Sequence, residues 1–179
     1  MSFLSLVLST GVLLAQGLTS DLQTWRVFDF ANTGTARTAV QPFECPVTPP
    51  NGETYTGERA GGNHGNTALV TWLWPNGKIV FRPGGAGFVL SDGALSMKFG
   101  WWRRITGSLR VEGRRLDADA PPMRASIPCC YEESGFQATA LIFPTPGCWE
   151  VTGRVADGSL TFVTLVEKIG AGPSSPTAR

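Results

Sequence analysis

The chain has 179 residues, 42% of them apolar and 16% charged, with 22 glycines and 13 prolines. That length suits one ordinary domain able to bury a core of its own, and the glycine and proline content favours short strands and tight turns over long helices. A formal net charge of +1 gives no electrostatic ground for a nucleic-acid or acidic partner.

Phe3 to Ala15 is an uncharged apolar run. It is shorter than the roughly 20 residues a membrane-crossing helix needs, so no stable transmembrane anchor is expected. Its length is that of the hydrophobic region of a signal peptide, and Ala15-Gln16-Gly17 puts small residues where a cleavage site before Leu18 requires them. Residues 1–17 are therefore expected to be a signal peptide, and the mature protein to be secreted or periplasmic. The next cysteine is Cys45, too far on for lipid attachment at the cleavage point.

Residues 18–64 are expected to be irregular, with one or two edge strands. One is expected at Thr24 to Phe30, where apolar residues alternate, and one around Cys45. Four prolines between 42 and 50 and four glycines between 57 and 65 give the rest loop chemistry. His64, the single histidine, lies in Gly61-Gly62-Asn63-His64-Gly65-Asn66 and is expected to be an exposed loop residue.

From Thr67 the pattern turns to β. Thr67 to Trp74 is β-branched and aromatic. Pro75-Asn76-Gly77 signals a turn and Lys78 to Arg82 the returning strand, so the segment reads as a hairpin. Phe88 to Leu90, a Ser91-Asp92-Gly93 turn and Ala94 to Phe99 read as a second hairpin. Ser108 to Leu116 alternates Leu109, Val111 and Gly113 with Arg110, Glu112 and Arg114, as a half-buried strand does. Strands follow at Phe136 to Phe143, Gly147 to Val155 and Leu160 to Val166. About seven or eight short, regularly spaced strands over 65–169 predict an antiparallel β-sandwich. Residues 170–179 lack the apolar side chains that would order them.

Leu73-Trp74-Pro75-Asn76-Gly77, Val80 to Gly85, Trp101-Trp102-Arg103 and Phe143 to Val151 resemble a group of uncharacterised secreted bacterial proteins with an immunoglobulin-like domain, over roughly residues 66–169. The C-terminal part also resembles the last two strands of many bacterial immunoglobulin-like domains. The resemblance implies a fold and carries no activity.

Four cysteines allow three pairings. Cys129 and Cys130 are neighbours, whose bonding requires a strained ring, so Cys45–Cys148 is the favoured bridge. No Cys-x-x-Cys spacing supports a zinc site or a thioredoxin-like pair. A single histidine and the lack of a Gly-x-Ser-x-Gly elbow give little basis for hydrolysis, although a hydrolase using His64 remains an alternative. Gly84-Gly85-Ala86-Gly87 is followed by a strand signal, where a phosphate cradle would open a helix. No cofactor, metal or catalytic residue is expected.

Residues 98–115 hold six basic side chains against Glu112, with Trp101 and Trp102 among them. Trp and Arg together are enriched at binding hot spots, which makes Trp101, Trp102, Arg103 and Arg104 the candidate ligand-binding residues. The function expected is a non-catalytic module for a protein or carbohydrate at the cell exterior. A second possibility is an immunoglobulin-like inhibitor of secreted proteases, using the loops at 83–87 and 144–147.

Overall fold

The computed structural model describes residues 43–174. The expected signal peptide, the strand expected at 24–30 and residues 175–179 lie outside this range.

The described chain is all-β, in two sheets. One contains β1 (His64–Gly65), β2 (Leu69–Thr71), β5 (Leu95–Arg103), β8 (Gly135–Phe143) and β7 (Arg124–Ser126), in that order. In the same sheet β4 (Phe88–Val89) pairs with the beginning of β5, while β2 pairs with its end. The other sheet runs β3 (Lys78–Phe81), β10 (Gly158–Lys168), β9 (Gly147–Val155) and β6 (Leu109–Arg115). Among the described residues the one helical element is a 3-10 turn at Pro75–Gly77, and no helix is long and apolar enough to cross a membrane.

Period-two patterning puts one face of each sheet into a common core. Leu95, Met97, Phe99 and Trp101 contribute from β5, and Trp149, Val151, Val155, Leu160, Phe162 and Val166 from β9 and β10. Phe99 meets Phe162 across the two sheets with ring centroids 5.5 Å apart, and Phe143 meets Trp149 at 5.7 Å. The expected alternation of β6 is present, with Leu109 buried and Arg110, Glu112 and Arg114 exposed.

Three expectations need correction. The segments flanking Pro75-Asn76-Gly77 form no hairpin, since β2 belongs to one sheet and β3 to the other. The Asn63 side chain bonds both the N–H and the C=O of Leu73, at 2.7 and 3.0 Å. Residue 73 thus leaves its sheet with its backbone satisfied, and the chain crosses over. Consequently the sandwich is not wholly antiparallel: β3 runs parallel to β10, with Ile79 opposite Val166.

Second, His64 is buried, lying in β1 opposite Thr71. Third, the start of the tail is structured. Gly172 N–H donates to the Ile169 carbonyl, and Gly172 and Pro173 are buried.

The bridge Cys45–Cys148 is formed. Among the described residues no strand forms around Cys45, but Thr48 N–H donates to the Val163 carbonyl and Val163 N–H donates to the Thr48 hydroxyl. The segment after Cys45 is therefore fastened to β10 as well as to β9.

Candidate functional site

The four candidate side chains have different fates, and β5 decides them. Successive strand residues face opposite ways, so Trp101 points between the sheets and Trp102 outward. Trp101 is fully buried, its ring lying where a side chain on Gly153 would otherwise be. It presents no surface to a ligand, so its place in the proposed binding set is corrected to the core.

Trp102 stands on the outer face, yet it too is largely covered. It lies directly opposite Phe136 on β8, ring centroids 5.2 Å apart. A segment closed by the Tyr55–Gly61 bridge covers it. The cover fits because Gly61 lacks a side chain; a Cβ there would come within 2.6 Å of the indole. The Trp102 indole N–H donates to the Arg59 carbonyl at 2.5 Å.

Arg103 is buried, and its guanidinium donates to the carbonyls of Gly107 and Glu132. Burial pushes this guanidinium below its usual range, opposed by the nearby Glu133 carboxylate. Arg104 donates to the carbonyls of Asn66 and Thr54, at 2.7 and 2.6 Å, and pairs with Glu53 at 3.0 Å.

Three consecutive side chains thus fasten two surface segments to the end of β5. Trp102 and Arg104 hold residues 54–59, and Arg103 holds residue 132. Between the fastened segments lies an open cleft of about 540 Å³. Tyr55, Glu58 and Arg59 line one side, Tyr131 and Glu132 the other, and Phe136 contributes from β8. The Arg59 guanidinium carbon lies 5.9 Å from the centre of the Phe136 ring, and Tyr131 meets Phe136 edge-on at 6.4 Å. Arg59, Glu58 and Glu132 are exposed; Tyr55, Tyr131 and Phe136 are half-buried.

Half of the basic side chains at 98–115 are ion-paired, Arg104 with Glu53 as above and two more on or beside β6. Arg114 pairs with Glu150 at 2.7 Å and Arg154 with Glu112 at 2.9 Å, both across β6 and β9. Arg115 pairs with Asp117 at 2.7 Å, and this guanidinium holds the Asp117 carboxyl below its usual range. Such surface pairs add little stability, but those of Arg114 and Arg115 offset part of the positive charge a sequence count gives.

None of the cleft residues was legible as a site. Tyr55 and Arg59 lie in a stretch that reads as loop, and Tyr131 and Phe136 are separated from them by more than seventy positions. The one available signal was aromatic side chains inside glycine-rich loop sequence.

His64 is not among the cleft residues. Its Nδ1 is buried with no hydrogen-bond partner among the described residues, and burial lowers its pKa below 6.5. The unfolded chain therefore takes up this proton before the folded chain does. Stability is full above pH 6.5 and falls as pH drops toward the lower folded value. Thermal melts from about pH 7.5 downward should show this slope just below the ordinary histidine pKa, and His64→Gln should flatten it. An unchanged slope in the variant would remove His64 as its source.

No protein-family model matches the chain, and no curated protein matches it.

Proposed function

We propose that the chain is an exported, non-catalytic binding module with an immunoglobulin-like fold, and that the cleft beside β5 takes a carbohydrate. The observation that carries the reading is the fastening of both walls by Trp102, Arg103 and Arg104. A site whose walls are already held loses less freedom on binding. The aromatic faces of Tyr55, Tyr131 and Phe136 suit the C–H faces of sugar rings. Arg59, Glu58 and Glu132 supply donors and acceptors for hydroxyls. The volume lies within the range of small-ligand sites.

Strand order supports the immunoglobulin-like part. An immunoglobulin domain has one sheet in the order A-B-E-D and the other containing C, F and G. Here β2-β5-β8-β7 follows the first order and β6-β9-β10 the second. The disulfide departs from the antibody pattern, because it ties the F-like strand β9 to Cys45 and not to the B-like strand β5. Export is supported by the apolar run at 3–15, and the disulfide is compatible with an extracellular location.

A glycan array probed with the parent protein, followed by titration calorimetry on the best saccharide, tests the reading. Arg59→Ala and Tyr131→Ala should each weaken binding at least tenfold while the melting temperature changes by no more than a few degrees. A parent that binds no saccharide, or variants that bind as well as the parent, would overturn it.

The opposite end of the sandwich favours a second reading. Register puts the loop at 82–87 and the turn at 144–147 together there, since Phe81 pairs with Lys168 and Gly147 with Val166. Neighbouring loops of this kind suit insertion into a protease cleft. Lack of inhibition at micromolar concentration across a panel of cysteine and serine proteases would exclude it.

A further inference from the structure

Cys129 and Cys130 are adjacent and exposed, and Cys130 contributes to the cleft wall. Neighbouring side chains on an extended chain point to opposite sides. Here Cys130 has a φ of 71°, in the left-handed region that a side chain seldom occupies, and the two sulfurs come to 2.6 Å. The flanks hold this conformation from both directions. Gln137 donates to the Pro128 carbonyl at 3.3 Å, Arg103 to the Glu132 carbonyl, and Gly107 N–H to the Glu133 carbonyl at 3.1 Å. The loop is thus anchored just before and just after the pair.

We propose that Cys129 and Cys130 are a thiol–disulfide exchange pair whose substrate is a low-molecular-weight disulfide. In the first step the Cys129 thiolate attacks one sulfur of the external disulfide. That disulfide breaks, one thiolate leaves, and Cys129 carries a mixed disulfide. In the second step the Cys130 sulfur attacks the Cys129 sulfur and expels the other thiolate. One external disulfide is reduced to two thiols, which take the two cysteine protons, and the pair is oxidised to an eight-membered ring. The ring spans residues whose α-carbons lie about 3.8 Å apart, closer than ordinary disulfides allow. Strained and exposed bridges are the readily reduced ones. Cys45–Cys148, with Cys148 almost fully buried, is the structural bridge, and the vicinal pair is the reversible one.

The test uses the full chain, treated with limiting dithiothreitol so that the vicinal pair is reduced and Cys45–Cys148 retained, as checked by peptide mapping. Oxidised glutathione is then added in large excess, because a strained bridge closes only against an oxidising poise. The parent should lose two hydrogens by intact mass, release two equivalents of glutathione and keep no adduct. Cys130→Ser, altered only at an exposed position, should stop at one glutathione per chain because the second attack is gone. A parent that keeps glutathione adducts, forms disulfide-linked dimers or remains a dithiol would overturn the proposal. So would a Cys130→Ser protein that keeps no glutathione. None of these outcomes depends on whether the cleft binds a saccharide.

Discussion

Trp101→Ala should lower the unfolding free energy by about 4 kcal/mol, the middle of the range for truncating a buried aromatic. The ring is fully buried, lies edge-on to Phe99 at 5.2 Å and tilted to Phe162 at 6.1 Å, and fills the space left by Gly153 on the facing strand. With alanine here and glycine opposite, neither of the two facing positions carries a side chain large enough to fill the void. Trp101→Phe should cost less, about 1–2 kcal/mol. It retains an aromatic ring and removes an indole N–H that is buried without a partner among the described residues. Urea unfolding of the three proteins measures both steps. A ligand-contact role predicts the reverse pattern, with binding lost and the midpoint unchanged. A midpoint within experimental error of the parent for Trp101→Ala would refute its core role.

Removing the long-range bridge should cost a similar amount. Cys45 and Cys148 are 103 positions apart, and closing a loop of that length restricts the unfolded chain by about 4–5 kcal/mol in the chain-entropy account. Typical domains have only about 5–15 kcal/mol in all, so the Cys45→Ser/Cys148→Ser protein should sit near the edge of folding at 37 °C. The contacts of Thr48 with Val163 remain in that variant. They should hold the segment in place at low temperature and release it early on heating. Denaturant curves at 10 and 37 °C would show this as a gap from the parent that is present at the lower temperature and wider at the higher. A difference below about 1 kcal/mol would mean that the unfolded chain is restricted by other means.

Neighbouring residues at the end of β5 have different roles. Trp101 acts on stability, whereas Trp102, Arg103 and Arg104 act on the loops that frame the cleft. The sequence groups these four residues because Trp and Arg stand side by side there. It cannot tell support from contact. Trp102 reaches Arg59 across 43 positions and Arg104 reaches Thr54 across 50, and no local pattern encodes which loop will settle on an outer strand face.

By itself the sequence determined most of the strands from residue 88 onward, since period-two burial and short polar turns are local properties; it missed β7, three residues held in place by pairing with β8. It also determined the choice of Cys45 and Cys148 as partners, because neighbouring cysteines close a bridge only with strain. Only the tertiary structure decided that β3 would leave its apparent hairpin partner and run parallel to β10. That choice turns on Asn63 satisfying the backbone of Leu73, a contact ten positions long. The burial of His64, the pairing of Arg104 and Arg114 with distant carboxylates and the cleft itself belong to the same class. Each arises where segments distant in the chain meet, and the free energy of such meetings depends on packing and desolvation that a linear pattern does not carry.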